Sequence, residues 1–410
     1  MVRHYGEAVT QWHVYFLLNA AAVISFAIWI YLAFARGAFW RLRAFNDDLA
    51  QQQALTKWPP VAVVVPARNE APTIRQTLAG LLQQNYPGEF SIVVVDDHSD
   101  DGTEQIAQQA AYELSAASSV TICSASTLPA GWTGKLWALN EGVSRAVAAA
   151  PDYYWFTDAD IVHAPDTLQR LITRAEREKL ALASLMVLLQ ARTLPERALI
   201  PAFLFFFLKL YPPRWIADPG ARTAGAAGGC IVLRRNALER MGGFAAIRGD
   251  VIDDCALARA VKRGGGRIWM GLTRASVSLR EYRSFGEIRD MIARTAFTQL
   301  RYSALLLLGT LLGMFLSYLA PVALLFAHDV TQRILGACTW TLMSLLYLPT
   351  VRFYLLSPLW APLLPLSAPF YSYATLLSAA RYWLGRGAQW KGRTQANQAS
   401  GNPLRAAKKH

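Results

Sequence analysis

Apolar residues follow two different patterns along this chain. Val14–Ala35, "VYFLLNAAAVISFAIWIYLAFA", carries no charge and one strongly polar residue, Asn19. At about 1.5 Å per residue it can cross a hydrocarbon core of about 30 Å. Arg36, Arg41 and Arg43 follow directly, where a cleaved signal would carry small residues. A retained anchor with its C-terminal end in the cytoplasm is therefore expected. Ala304–Ala327 and Ile334–Leu356 are again long enough to span. Leu359–Trp383 is apolar but holds Pro362, Pro365 and Pro369, which suits a broken span, a re-entrant piece or an interfacial segment. Two stretches have the pattern of membrane-surface helices. Ala198–Ile216 is aromatic-rich and fits a buried core helix equally, and Ser284–Tyr302 is amphipathic, with arginines on one side.

Between the first and last of these apolar runs the pattern changes to short β-branched runs alternating with helical stretches. Val61–Val65, Ser91–Val95, Val120–Cys123 and Tyr153–Thr157 read as strands. Helices are expected from Pro72 to about Gln84, from near Gly102, and after Lys135. Alternating β and α with solidly apolar strands predicts an α/β fold, a mostly parallel sheet with helices on both faces.

Composition sharpens this. Of 410 residues, 53% are hydrophobic and 17% charged, which places part of the chain in lipid. The net charge is 41 − 28 = +13. The basic residues are scattered, clustering beside apolar runs and in the tail, so an anionic membrane surface is a simpler partner than nucleic acid. Cys123, Cys230, Cys255 and Cys338 form no CxxC pair, which indicates neither a zinc site nor a disulfide framework.

The candidate chemistry lies in three acidic clusters. Asp96 and Asp97 close the second strand, and Asp158 and Asp160 close the fourth in "FTDAD". Asp253 and Asp254 open a helix in "VIDDCALARAVKRGG". An aspartate after a strand is commonly a helix cap, the role expected of Asp100 and Asp101. In an open α/β sheet, however, ligands bind beyond the carboxyl ends of the strands. Carboxylates gathered there repel unless a cation joins them, and oxygen-only ligation suits Mg²⁺ or Mn²⁺. His98 and His163 adjoin these clusters but read as polar surface and receive no role.

The segments "VVVPARNE", "VVVDDHSDDGT", "GWTGKLWALNEG", "TDAD", "AGGCIVLRRNALERMGGF", "IDDCAL" and "TQLRY" resemble, in this order, those of family 2 inverting glycosyltransferases with the GT-A fold. The resemblance runs from about Val61 to Tyr302. Within the family the chain looks like the membrane-bound, ceramide-glucosyltransferase-like enzymes, and most like bacterial hopene-associated glycosyltransferases. The resemblance implies that Pro66, Ala67, Arg68, Asn69, Glu70, Asp96 and Asp97 hold the uridine and ribose of a UDP-sugar. It places Lys135 near the nucleotide or its phosphates and Asp158 and Asp160 at the metal, with Asp160 the direct ligand. Asp254 aligns with the general base, preceded by Asp253. Arg301 and Tyr302 stand at the diphosphate and acceptor. Gly228 and Gly229 either allow close backbone approach there or form a turn. Polysaccharide synthases carry Q-x-x-R-W where this chain has Thr298, Arg301 and Tyr302, which favours one sugar added to a lipid.

The implied organisation is an anchor segment (1–43, crossing at 14–35), a cytoplasmic GT-A domain with interfacial helices (58–303), a C-terminal membrane region (304–384) and a basic tail (385–410). The expected enzyme is multi-pass in the inner (plasma) membrane, takes a UDP-sugar and a lipid acceptor (hopanoid, ceramide-like or glycerolipid-like), and needs no obligatory protein partner. Transfer to polyprenyl phosphate, or a non-catalytic membrane scaffold, are the rival expectations.

Overall fold

A computed structural model describes residues 2–42, 45, 55–114, 118–385, 389–390 and 393–394. The rest of the tail expected over 385–410 lies outside the described residues. The chain forms two compact units. One comprises Arg43–Gln190, Pro213–Glu281 and Arg381–His410, and the other Met1–Leu42, Ala191–Pro212 and Tyr282–Ala380.

The first unit is built on one eight-stranded sheet. In chain order the strands are β1 (Val61–Ala67), β2 (Phe90–Asp96), β3 (Val120–Ser124), β4 (Tyr153–Phe156), β5 (Ile161–Val162), β6 (Leu182–Leu188), β7 (Ile231–Arg234) and β8 (Ile268–Ser278). Their spatial order is β3-β2-β1-β4-β7-β6-β8-β5. Pairs β3-β2, β2-β1, β1-β4 and β6-β8 are parallel. β7 runs antiparallel to both β4 and β6, and β5 antiparallel to β8. The parallel half is the α/β arrangement that the sequence predicts. All of β1 is buried, as a parallel strand covered on both faces must be. Val63, Val65, Trp155, Ile74 and Leu78 contribute to the core on one side of it.

On the other side the helix Gly134–Ala146 lies against β1 and β2. A Cβ at Gly142 would come within 2.3 Å of Val64 Cγ1 and 3.2 Å of Val95 Cγ2, so the helix can sit this low only on glycine. Thr133 caps its start by accepting from the Leu136 amide. The helix Asp253–Arg263 opens with Asp253 and Asp254 and closes with Lys262 and Arg263, charges that match its dipole.

The second unit is helical. Three of its helices are long and apolar enough to cross a membrane: Tyr15–Phe34, Ala304–Leu324 and Val330–Phe353. The proline-bearing segment is a 3₁₀ turn (Pro358–Leu363) followed by a helix (Leu364–Trp383) that continues through Pro369. Leu194–Leu210 is a helix buried on most of its surface, with Phe205 fully enclosed between Trp29, Phe39 and Tyr347. Of the two expectations for that stretch, core packing describes it. A capping box at Thr193 and Glu196 starts this helix, and the same carboxylate accepts from the Tyr282 amide. The stretch Ser284–Tyr302 is not one helix. It breaks into Phe285–Ala293 and Ala296–Gln299 and ends with Arg301 and Tyr302 both left-handed, at φ 52° and 57°.

Replacing Gly142 by Ala should destabilise the protein by about 1–3 kcal/mol, the cost of forcing a methyl between packed strands and helix. A lowered midpoint in thermal unfolding of the detergent-solubilised protein checks this, and an unchanged midpoint would contradict the packing.

Candidate active site

Three of the predicted carboxylates meet around one ammonium group. Lys135, in the first turn of the helix Gly134–Ala146, places Nζ 2.7 Å from Asp158 Oδ1 and 3.5 Å from Asp253 Oδ2. Asp254 acts on the same cation, and its Oδ2 accepts from the Gly228 amide at 2.9 Å. Its Oδ1 accepts from the Cys255 amide at 2.7 Å. These residues line a narrow cleft with Pro66, Phe156, Thr157 and Phe244.

Charge balance in the cleft is uneven. Burial alone would lower the Lys135 pKa, but Asp158, Asp253 and Asp254 outweigh it and hold the ammonium above the ordinary lysine range. Asp254 moves the other way from a surface carboxylate. Burial first, then the Asp253 charge, raise it to about 6 against the pull of Lys135. A carboxyl poised near neutrality in a cleft has the property that acid–base chemistry requires.

Antiparallel pairing assembles this cluster. In the β4-β7 register Phe156 lies opposite Ile231, so the residues just before β7 come alongside those just after β4. Gly228 thereby adjoins Asp158 and Lys135. A Cβ there would sit 3.3 Å from Lys135 Nζ and 3.5 Å from Asp254 Oδ2, so close approach, and not merely a turn, fixes this glycine. Gly229, the glycine expected at the acceptor, packs instead toward Val187 and Ile161, while its carbonyl accepts from Thr157 Oγ1 at 3.1 Å.

Behind the cleft stands His163, and here the sequence reading fails. It is buried, with ring nitrogens 2.8 Å from Thr157 Oγ1 and 2.9 Å from Ser276 Oγ, beside the Trp155 ring at 4.7 Å. Burial lowers its pKa to about 3, so the imidazole is neutral and joins the end of β4 to β8. Proximity to the acidic pair in "DADIVHAP" concealed this; His163 follows directly on the short strand β5.

The other predicted residues form a second group at the ends of β1 and β2. Arg68 reaches the Asp97 and His98 carbonyls and lies 3.8 Å from Asp97 Oδ2. Asn69, left-handed at φ 52°, exchanges bonds with Ser99 and Asp100, and the Glu70 amide donates to Thr103 Oγ1 at 2.8 Å. Asp96 accepts from the Ser99 amide and hydroxyl. Asp101 accepts from the Thr103 amide at 3.0 Å, beside the start of the helix Thr103–Glu113. Asp96 and Asp97 end a strand two positions from β4, about 10 Å away at ordinary strand spacing, and neither lines the Lys135 cleft. Asp160 accepts weakly from Ser278 Oγ at 3.5 Å. Arg301 and Tyr302 lie in the helical unit, where the Tyr302 ring packs edge-on against Phe297.

A divalent cation fits this donor set in one way. Among the described residues no three or more His, Cys, Asp or Glu side chains gather as a metal cage. The cleft nevertheless sets a single ammonium against three carboxylates, with Asp158 about one-third exposed. Such a site suits a hard cation arriving with phosphate oxygens, since Mg²⁺ takes one or two carboxylates plus substrate phosphates.

Comparison with known proteins agrees with the fold. Residues 62–242 match the model for Glycosyl transferase family 2. The chain is 26% identical over 244 residues to a probable glycosyltransferase, YdaM, of Bacillus subtilis, covering 56% of this chain and 53% of that protein. It is 35% identical over 118 residues to an N-acetylglucosaminyltransferase of Rhizobium leguminosarum bv. viciae, covering 28% and 24% respectively. These matches span about half the length, or less, of the curated relatives. Among solved structures, the mannosyltransferase PcManGT from Pyrobaculum calidifontis, in complex with GDP-Man and Mn²⁺, aligns with a TM-score of 0.56 at 20% identity, over 89% of this chain and 99% of its own.

Replacing His163 by Ala should cost about 1–3 kcal/mol through the buried hydroxyls left without a partner, read as a lower unfolding midpoint; a midpoint equal to the parent's would mean that the hydroxyls find other partners. Residues 62–242 are thus similar in sequence to Glycosyl transferase family 2, and the sheet that they help to build has a GT-A-like fold.

Proposed function

We propose that this chain is a membrane-bound inverting glycosyltransferase that moves one sugar from a UDP-sugar to a lipid hydroxyl. The observation that carries the reading is the cleft in which Asp254, raised to about 6, lies beside Lys135, Asp158 and Asp253.

In this reading Asp254 is the general base. The acceptor hydroxyl oxygen attacks the anomeric carbon, the bond to the diphosphate breaks, and the hydroxyl proton passes to an Asp254 oxygen. Attack opposite the leaving group inverts the anomeric centre. The Gly228 and Cys255 amides hold the two Asp254 oxygens in place, so the base is oriented before the acceptor arrives. Lys135 balances charge beside the departing diphosphate. Asp158 and Asp160 would hold Mg²⁺ or Mn²⁺, which when bound supplies Lewis-acid stabilisation to the leaving group. The Arg68–Glu70 turn and Asp96 and Asp97 would hold the nucleoside, and Arg301 and Tyr302 the acceptor side. Three membrane-length apolar helices support a lipid acceptor and a multi-pass placement in the inner membrane with the catalytic unit in the cytoplasm. The "GWTGKLWA" segment points to a hopanoid among such lipids.

Purified full-length protein with UDP-glucose or UDP-N-acetylglucosamine, Mn²⁺ and a hopanoid should release UDP and yield a lipid heavier by one sugar. Neither product forming with any UDP-sugar and lipid pair would defeat the proposal. Asp254→Asn should lower kcat by about 10²–10⁴-fold, the range of general base catalysis; near-normal turnover would favour a phosphate acceptor, which is already anionic. Since the base acts ionised and its pKa is raised, kcat/KM should fall as pH drops below about 6. Lys135→Met should move that acid limb upward, because it removes the charge that holds Asp254 down; a stationary limb would assign it to another group.

A further inference from the structure

The peptide that holds Asp254 is itself held from its far side. Strand β6 reads "LASLMVL", and Ser184 is the one polar side chain in it. Ser184 is fully buried, opposite Ile231 of β7 and Met270 of β8. Both bonds made by its side chain go to Ala227. Oγ accepts from the Ala227 amide at 2.8 Å and donates to the Ala227 carbonyl at 3.2 Å. The single hydroxyl proton is thereby spent on this residue. The two bonds reach the peptide planes on either side of the Ala227 Cα, so together they fix its φ and ψ.

Ala227 stands directly before Gly228, whose amide donates to Asp254 Oδ2 at 2.9 Å. The Ala227 carbonyl and the Gly228 N–H belong to one planar unit. In a trans peptide they point in opposite directions, and no described peptide bond is cis. Fixing the carbonyl toward β6 therefore aims the N–H at Asp254. Donation to that carbonyl also polarises the peptide and strengthens its N–H as a donor. The Cys230 amide donates to the same carbonyl at 3.2 Å, and Thr157 Oγ1 holds the Gly229 carbonyl from the end of β4. Gly228 has no side chain to pack, so its backbone depends on such ties more than another residue would.

We propose that Ser184 is a positioning residue: it sets the Ala227–Gly228 peptide plane and, through it, the direction in which Asp254 presents its oxygens to the acceptor. The inference rests on the reading of Asp254 as the general base. Ser184 does not line the cleft and touches no reacting atom. Its effect reaches the site through one peptide unit, and a base turned out of line loses the advantage of prior orientation.

The test uses purified full-length protein in detergent, with a donor and acceptor pair that the parent turns over. Ser184→Ala should lower kcat about tenfold, the scale of one neutral hydrogen bond, while the donor KM changes by less than about twofold. A parental kcat in Ser184→Ala overturns the inference and leaves the glycosyltransferase reading intact. Unfolding midpoints give a readout that needs no activity. In a cycle of Ser184→Ala, Asp254→Ala and the double variant, the two single shifts should fail to add, because both act on the same Gly228 bond. Additive shifts overturn the relay even where kcat falls. If the parent moves no sugar, the reading of Asp254 as base falls, and the cycle still decides whether Ser184 sets that carboxylate. If Ser184→Ala cannot be obtained folded, Ser184→Cys carries the same test, since a thiol bonds only weakly; a parental kcat in it counts against the proposal.

Discussion

The ammonium of Lys135 holds apart, and at the same time holds together, three carboxylates that would otherwise expel one another. At about 4 Å and an effective dielectric of about 20, each pair of unit charges interacts by about 4 kcal/mol. Lys135 has three such attractions and no cationic neighbour among the residues lining the cleft, so it remains charged although buried. For Asp254 burial is the largest cost and the Asp253 charge adds to it, while Lys135 opposes both, and the balance is a raised pKa. The same arithmetic leaves the cleft short of positive charge, which makes it a receptive place for a cation carried in with phosphate.

The sequence made one half of the sheet plain and concealed the other. "VAVVV", "SIVVV" and "YYWFT" are unbroken apolar runs with turns after them, and such runs in an αβ alternation can be little else than buried parallel strands. β6, "LASLMVL", is made of residues that favour helix, and becomes a strand only through the partners on either side of it. β8, "IWMGLTRASVS", carries Gly271, Thr273 and Arg274 within it and lacks a continuous apolar signal. The helix at Ser284 shows a related limit. Its arginine spacing predicts one helix, but the backbone breaks at Arg294 and Thr295, where helical periodicity alone gives no warning.

Site residues were legible where strand ends announced them and illegible where only folding brings residues together. Asp158 follows a strand and Asp254 opens a helix, so each could be proposed from local pattern. Gly228 is 26 residues from Asp254 along the chain, yet its amide holds that carboxylate. His163 looked exposed because it follows the Asp158 and Asp160 cluster closely and because a two-residue strand is too short to register as a pattern.

Reversal of strand direction at β4 is what makes a site possible in this unit. Were β7 parallel to β4, the Arg234 end would face Asp158, and the glycine pair would lie at the far edge of the sheet. Antiparallel pairing instead brings the start of β7 to the end of β4, so that two chain segments deliver their loops to one point. Gly228 then supplies an amide with no side chain to obstruct Lys135, and the loop into Asp253 completes the enclosure. The apolar strands fix these positions, and the carboxylates at their ends turn toward Lys135. Burial of hydrocarbon in the sheet thus sustains a crowded set of charges, and burial first, with the Asp253 charge second, sets the acidity of Asp254.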